Sequence, residues 1–270
     1  MTVASSSVHR IDRLVAPICA AGRSVYGLDA GLSGAAPGGI GHHGGMRLVD
    51  LSHVIDHQMV TYPGLPGPEI SEYPSFEASR DHYAAGTEFA IGRISMVANT
   101  GTYLDTPGHR FRDGHDLSTL PLQRCADLPA VVIDGGGAID ADVLSDAAVT
   151  GAAVLLRTGW DRHWGTQRYG DPEHPHLTEA GAQVLVERRA ALVGIDSVNI
   201  DDTTTGQRPA HTLLLAAGIP VVEHLTDLAD LPRTGARFTA VPPAIRGLAT
   251  FPARAFAALP TARSDEEPTS

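Results

Sequence analysis

The most restrictive feature of this 270-residue chain is a succession of apolar runs too short to be anything but buried strands, separated by segments with helical spacing. Residues 130–134 (Ala-Val-Val-Ile-Asp), 152–157 (Ala-Ala-Val-Leu-Leu-Arg), 192–195 (Leu-Val-Gly-Ile) and 221–223 (Val-Val-Glu) are such runs. Continuous apolar residues, rather than alternating ones, fit strands covered on both faces. Residues 178–189 have an N-cap candidate in Thr178, Glu179 in the first turn, and Arg188 and Arg189 at the end, charges matched to a helix dipole. Residues 209–217 form a second expected helix, stopped by Gly218. Residues 47–52 and 91–98 read as further strands, the second because Ile94 and Met96 alternate with Arg93 and Ser95. Strand–helix–strand order at this spacing predicts an α/β fold with mixed strand pairing, one domain over residues 46–260.

The flanks read differently. Residues 1–45 are rich in Ala, Gly and Ser and are expected to form a flexible extension with one short helix near 8–21; residues 261–270 are an expected disordered tail. Gly39, Gly41 and Gly44 satisfy G-x-G-x-x-G, but no strand precedes them and no βα unit follows, so the dinucleotide reading fails. The pair His42-His43 lacks a third metal ligand. Apolar residues at 43% and charged residues at 19% suit a folded globular protein. The formal net charge of −11 excludes the broad basic surface that nucleic-acid binding needs, whereas a small-molecule substrate remains compatible with it. Cys19 and Cys125 cannot make a disulfide framework or a thiolate metal site. No apolar stretch approaches the roughly 20 residues of a spanning helix, and no secretory leader is evident. The expected location is cytoplasmic, without a membrane partner.

Chemistry-bearing residues concentrate at 99–109, Asn-Thr-Gly-Thr-Tyr-Leu-Asp-Thr-Pro-Gly-His. Gly101 and the Pro107-Gly108 pair force turns, and polar side chains on a tight loop at a strand end can converge on one point. Asp105 can hold a cation, and His109 can transfer protons near neutral pH. Far along the chain, His211 opens a helix and Glu223 ends a Val-Val strand. An acid so placed needs a partner: a metal, or an arginine in a salt bridge. Trp160, Trp164 and Tyr169 can form an aromatic wall for a planar substrate or simply pack; Asp201 and Asp202 read as turn residues; His53 and His57 are given no role. No G-x-S-x-G elbow is present.

From residue 46 to about 257 the chain resembles the cyclase family, which includes metal-dependent kynurenine formamidases and isatin hydrolases. Carrying the resemblance are Val49-Asp50-Leu51-Ser52-His53, Tyr62-Pro63-Gly64, Leu155-Leu156-Arg157-Thr158-Gly159-Trp160, Val193-Gly194-Ile195-Asp196-Ser197 and Pro252-Ala253-Arg254-Ala255. It implies a single α/β domain with a mixed, barrel-like sheet and flanking helices (the swivelling β/β/α type), and a homodimer or tetramer. The family signature is His-x-Gly-Thr-His-x-Asp-x-Pro-x-His, followed later by a His and a Glu twelve residues beyond it. Gly101, Thr102, Asp105, Pro107, His109, His211 and Glu223 fall on this pattern, whereas Asn99 and Tyr103 stand where its first two histidines belong.

Asn and a phenol are poor zinc ligands, so the resemblance implies one ion, zinc or manganese, held by Asp105, His211 and Glu223. A metal-free site with Glu223 or His109 as base is the other arrangement the residues allow. Either way, His109 is expected to protonate a leaving nitrogen and Tyr103 or Asn99 to stabilise an oxyanion. The implied activity is hydrolysis of a small-molecule amide, kynurenine formamidase-like. A metal-independent cyclase or dehydratase of polyketide-type metabolism is the alternative, and a pseudoenzyme that only binds ligand is a third. All require Asp105 and His109 to meet His211 and Glu223 in space.

Overall fold

A computed structural model describes residues 45–260. Residues 1–44 of the expected extension, with its short helix, Cys19 and His42-His43, lie outside the described residues, as does the expected tail. In chain order the strands are β1 (Met46–Asp50), β2 (Glu69–Glu72), β3 (Gly92–Ser95), β4 (Tyr103–Asp105), β5 (Leu128–Asp134), β6 (Ala138–Ile139), β7 (Ala153–Arg157), β8 (His176–Leu177), β9 (Leu192–Ile195), β10 (Val221–Glu223), β11 (Arg237–Thr239), β12 (Thr250–Pro252) and β13 (Phe256–Pro260). The α-helices are α1 (Phe76–Ser79), α2 (Ala141–Leu144), α3 (Glu179–Glu187) and α4 (Pro209–Ala216).

Nine strands form one sheet in the order β1-β13-β11-β5-β7-β9-β10-β4-β12. The central neighbours β5, β7, β9 and β10 run parallel, and both flanks are antiparallel. This order dictates shape. β12 lies at one edge and β13 next to the other, yet only Ala253, Arg254 and Ala255 join them. In a flat sheet seven strand spacings would separate the two by about 34 Å, whereas four extended steps of chain reach about 14 Å. The sheet therefore curls until its edges meet. A hydrogen bond ties the seam: the Thr226 N–H donates to the Leu51 carbonyl at 3.1 Å, next to an isolated antiparallel bridge between Ser52 and Leu225.

Curling gives the sheet two apolar faces. Leu51, Leu104, Leu155, Val222 and Phe238 fill the inside; Ile133, Val154, Leu156 and Val193 pack outward against Leu185 of α3 and Leu214 of α4. β7 divides its residues between the two, Ala153 and Leu155 to one and Val154 and Leu156 to the other, which is why its sequence is apolar without interruption. Each fully buried Leu or Val contributes about 1.5–3 kcal/mol. Gly194 is required in β9, since a Cβ there would lie 2.7 Å from Leu225 Cδ1 and 3.0 Å from Leu155 Cδ2. Thr178 caps α3 by accepting from the Gly181 N–H.

One expected strand is different in kind. Within residues 91–98 only β3 forms, paired with β2 in a separate two-stranded arm whose strand residues are all exposed. Ile94 is 49% exposed. Its alternation with polar neighbours marks a pleated surface that nothing among the described residues covers. The main-sheet strand at the polar cluster is β4, inside the cluster itself.

Candidate active site

β10 lies antiparallel to β4, with Glu223 opposite Tyr103 and Val221 opposite Asp105. That pairing joins the early and late halves of the cluster through backbone alone. Before β4 the chain turns at Gly101, whose φ of +65° favours glycine and whose N–H is held by the Thr61 hydroxyl at 2.8 Å. After β4, Pro107, Gly108 and His109 form one 3-10 turn, which brings His109 back to 3.6 Å (Nδ1) from Asp105 Oδ1. His211 stands in the first turn of α4. The free N–H groups of Ala210 and His211 there donate to the Asp201 carboxylate at 2.6 and 3.1 Å.

The four expected residues meet. His211 Nε2 lies 3.7 Å from Asp105 Oδ2 and 3.6 Å from Glu223 Oε1, and ligand atoms of Asp105, His109 and His211 all fall within 4.8 Å of one another. Asp105, His211 and Glu223 are buried. Asp105 Oδ2 and His211 Nε2 have no hydrogen-bond partner, an omission that costs about 1–3 kcal/mol for each buried polar atom. A divalent cation satisfies both. Tetrahedral bonds of about 2.1 Å hold ligands about 3.4 Å apart, close to the separations seen. The donor set, one imidazole nitrogen and two carboxylates, suits zinc or manganese. His211 Nδ1 is 2.6 Å from Asp201 Oδ2, which orients the ring and leaves Nε2 for the ion. The residues fit one cation.

The remaining polar atoms are accounted for. Glu223 Oε1 accepts from the Ile200 N–H at 2.7 Å and Oε2 from the Tyr103 hydroxyl at 2.5 Å. Among the described residues no arginine pairs with Glu223, so the salt-bridge reading fails. The Thr250 hydroxyl donates to Asp105 Oδ1 and lies 2.9 Å from His109 Nδ1. A carboxylate only accepts, so the hydroxyl proton points to Asp105 and His109 supplies the other proton from Nδ1. Its Nε2 therefore carries the lone pair. A cavity of about 390 Å³ opens onto Asn99, Tyr103, His109, His211 and Glu223.

Three carboxylates surround one imidazole in the cluster. Burial disfavours the imidazolium of His211, but Glu223, Asp105 and Asp201 outweigh it and push its pKa up to about 10. Burial raises Glu223, and with Asp105 beside it prevails over His211, to about 7. Burial, reinforced by Glu223 and Asp105, holds the Tyr103 phenol well above its ordinary value, so it stays a donor. Its single proton goes to Glu223 Oε2, while Asn99 also lines the cavity.

Three participants are not evident from sequence. Asp201, read as a turn residue, is fully buried and anchors His211; it lies eight residues before α4, whose N-cap position is Arg208, so no local capping pattern marks it. Thr250 and His224 carry no signal either. The aromatic wall resolves as packing: Trp160 and Tyr169 cluster with Val198, and neither they nor Trp164 line the cavity. His53 stacks on Trp164 at 3.8 Å, and His57 Nδ1 accepts the Ile70 N–H.

Known proteins share this arrangement of sequence and fold. The Cyclase family model matches residues 49–202. The chain is 28% identical over 181 residues to a kynurenine formamidase of Bacillus mycoides (strain KBAB4), spanning 66% of this chain and 81% of that one. To cyclase-like protein 1 of Oryza sativa subsp. japonica it is 30% identical over 178 residues, 62% of each. Isatin hydrolase A from Labrenzia aggregata, solved with benzyl benzoate bound, superposes with a TM-score of 0.70 at 25% identity over 80% of this chain and 94% of that one. A potential metal-dependent hydrolase with cyclase activity shares the fold at a TM-score of 0.64 and 24% identity, over 79% and 98% of the two chains.

Proposed function

Because the chain belongs to the Cyclase family, we propose that it hydrolyses a carbon–nitrogen amide bond in a small molecule, in the manner of the kynurenine formamidases and isatin hydrolases it resembles. The observation that carries this reading is the pair of unpartnered atoms, Asp105 Oδ2 and His211 Nε2, lying 3.7 Å apart beside Glu223 at the floor of a cavity that His109 also lines.

Asp105, His211 and Glu223 would hold a zinc or manganese ion, which would supply Lewis acidity at the reacting carbonyl. The chain's own residues do the rest. His109 Nε2 takes a proton from the attacking water and returns it to the departing nitrogen, so that acid and amine leave neutral in sum. Asn99 donates a hydrogen bond to the developing oxyanion. Asp201 holds the His211 ring in place, and the Ile200 N–H and Tyr103 hydroxyl fix Glu223. Both oxygens of Glu223 already accept hydrogen bonds, which favours His109 over Glu223 as proton acceptor.

Two finer points belong to the same proposal. Self-association is supported by the arm, where Ile70, Tyr73, Phe89, Ile91 and Ile94 are exposed on a two-stranded unit that is marginal by itself. Among the described residues no helix is long and apolar enough to cross a membrane, and we place the enzyme in the cytoplasm.

The test is a panel of N-formyl arylamines and cyclic imides assayed with wild type, His109→Ala and Glu223→Ala, after elemental analysis of the purified protein. About one equivalent of metal and a collapse of hydrolysis in both variants are expected. Wild-type rates in both variants would end the assignment.

A further inference from the structure

One buried histidine has no part in the chemistry above. His224 follows Glu223, is fully buried, and has φ +56°, a left-handed backbone that a residue with a β-carbon keeps only where its surroundings hold it. Its two ring nitrogens face two phenols: Nδ1 is 2.8 Å from the Tyr169 hydroxyl and Nε2 is 3.3 Å from the Tyr103 hydroxyl. Trp164 packs against the ring at 5.7 Å between centroids. No carboxylate pairs with it among the described residues. A wholly buried imidazole without an anion is neutral, with one donor and one acceptor nitrogen.

Direction follows by elimination. As the carboxylate that holds the cation, Glu223 only accepts, so the Tyr103 hydroxyl, 2.5 Å from Oε2, donates to it. From His224 the Tyr103 oxygen can then only accept, so the imidazole proton is on Nε2. Nδ1 is left with a lone pair and accepts from the Tyr169 hydroxyl.

We propose that Tyr169, His224 and Tyr103 form a one-way hydrogen-bond chain in which His224 is a positioning residue: it turns the Tyr103 proton onto Glu223 Oε2, so that Oε1 alone faces Asp105 and His211. With the opposite tautomer, His224 Nε2 would draw the phenol proton to itself. Glu223 would lose its Oε2 donor and be held by the Ile200 N–H at Oε1 alone. The activity readout below rests on the hydrolase reading; the other two do not.

The experiment uses the full chain, stripped of metal and titrated with zinc chloride by calorimetry, alongside nitrogen-15 spectra of labelled histidine. In wild type at pH 7.5 the His224 signals, identified by their loss in His224→Gln, are expected to show a protonated Nε2 and an unprotonated Nδ1. Tyr169→Phe removes one hydroxyl that does not line the cavity; it is expected to mix the tautomers and weaken zinc about threefold, with His224→Leu weakening it about tenfold, as for other residues that orient a ligand. His224→Gln, whose amide can donate to one phenol and accept from the other, is expected to recover most of the Leu variant's loss. Tyr169→Phe added to Tyr103→Phe should weaken zinc no further, since one chain is being cut twice. In hydrolysis, Tyr169→Phe should lower kcat and leave KM unchanged. A protonated Nδ1 in wild type, or Tyr169 and Tyr103 effects that multiply, overturns the proposal. Should His224→Leu fail to fold, the Tyr169→Phe and spectral results still decide it; should wild type hydrolyse no amide, the hydrolase reading falls while the tautomer and zinc data still judge this one.

Discussion

The site and the arm break the usual partition of residues in opposite senses. Beneath the cavity, Asp105, Asp201, His211 and Glu223 are buried. On the arm of β2 and β3, Ile91, Ile94 and Phe89 stand in the open. The first region keeps charge where water is absent, and nearly every atom has a partner; Asp105 Oδ2 and His211 Nε2 are the two left without one. The second keeps apolar surface where water is present, and has no covering partner among the described residues. Each is half of a contact. The polar half is shaped to within a few tenths of an ångström of an ion's needs, whereas the apolar half is specified only by area. This is the difference between directional and non-directional forces.

That contrast can be broken most severely at the pocket. His109→Ala is expected to lower kcat by about 10²–10⁴-fold, the range for losing a general acid–base, with zinc still bound in calorimetry. An equal loss of zinc would reassign His109 as a ligand. Next in size, Asp201→Asn is expected to weaken zinc about 10–100-fold while circular dichroism stays unchanged; unaltered affinity would show that the helix N-terminus alone orients His211.

A smaller effect separates charge from ion. His211 has its folded pKa raised from 6.5 to about 10, so without metal its contribution to stability is complete below pH 6.5 and fades as pH climbs toward 10. Glu223, raised from 4.5 to about 7, loses its contribution in the same direction over its own lower range. The melting temperature of chelated protein should therefore fall from pH 6.5 to 9.5 more steeply than that of His211→Gln. Added zinc should flatten the wild-type slope, since the ion displaces the His211 proton. Smallest in effect on the fold is Ile94→Asp on the arm. Its melting temperature should stay within a few degrees of wild type, as expected for an exposed position, while sedimentation shifts to a smaller species. A stable protein with unchanged mass would remove the arm as an association surface.

Local signals made much of the fold readable. Leu192–Ile195 and Val221–Glu223 coincide with the expected runs because each is apolar throughout and ends at a charge, and Thr178 caps α3 as its side chain suggests. β4 was hidden: three residues, one of them acidic, give no periodicity, and only pairing with β10 over a long sequence separation makes them a strand. Residues 91–98 misled for the converse reason, since alternation records a pleat but not what covers it. At the site, residue types and spacing pointed to Asp105, His109, His211 and Glu223, and the fold brings those four side chains together, three of them lining one cavity with Asp105 buried behind. Thr250 and His224 are ordinary in sequence. They matter only because curling brings β12 against β4 and a left-handed residue turns an imidazole between two phenols.

The strand order also governs how the molecule is made. β1 has β13 as its sole neighbour in the main sheet, so the earliest described strand must wait for the latest. At about 5–20 residues per second of translation, some 210 residues of synthesis leave β1 with a bare edge for about 10–40 s. Only when β12 and β13 emerge does Asp105 gain Thr250 and the sheet gain its closing seam. During translation the chain is thus an open, unpaired ribbon end, and whatever shelters that end on the ribosome shares in deciding the yield of native protein.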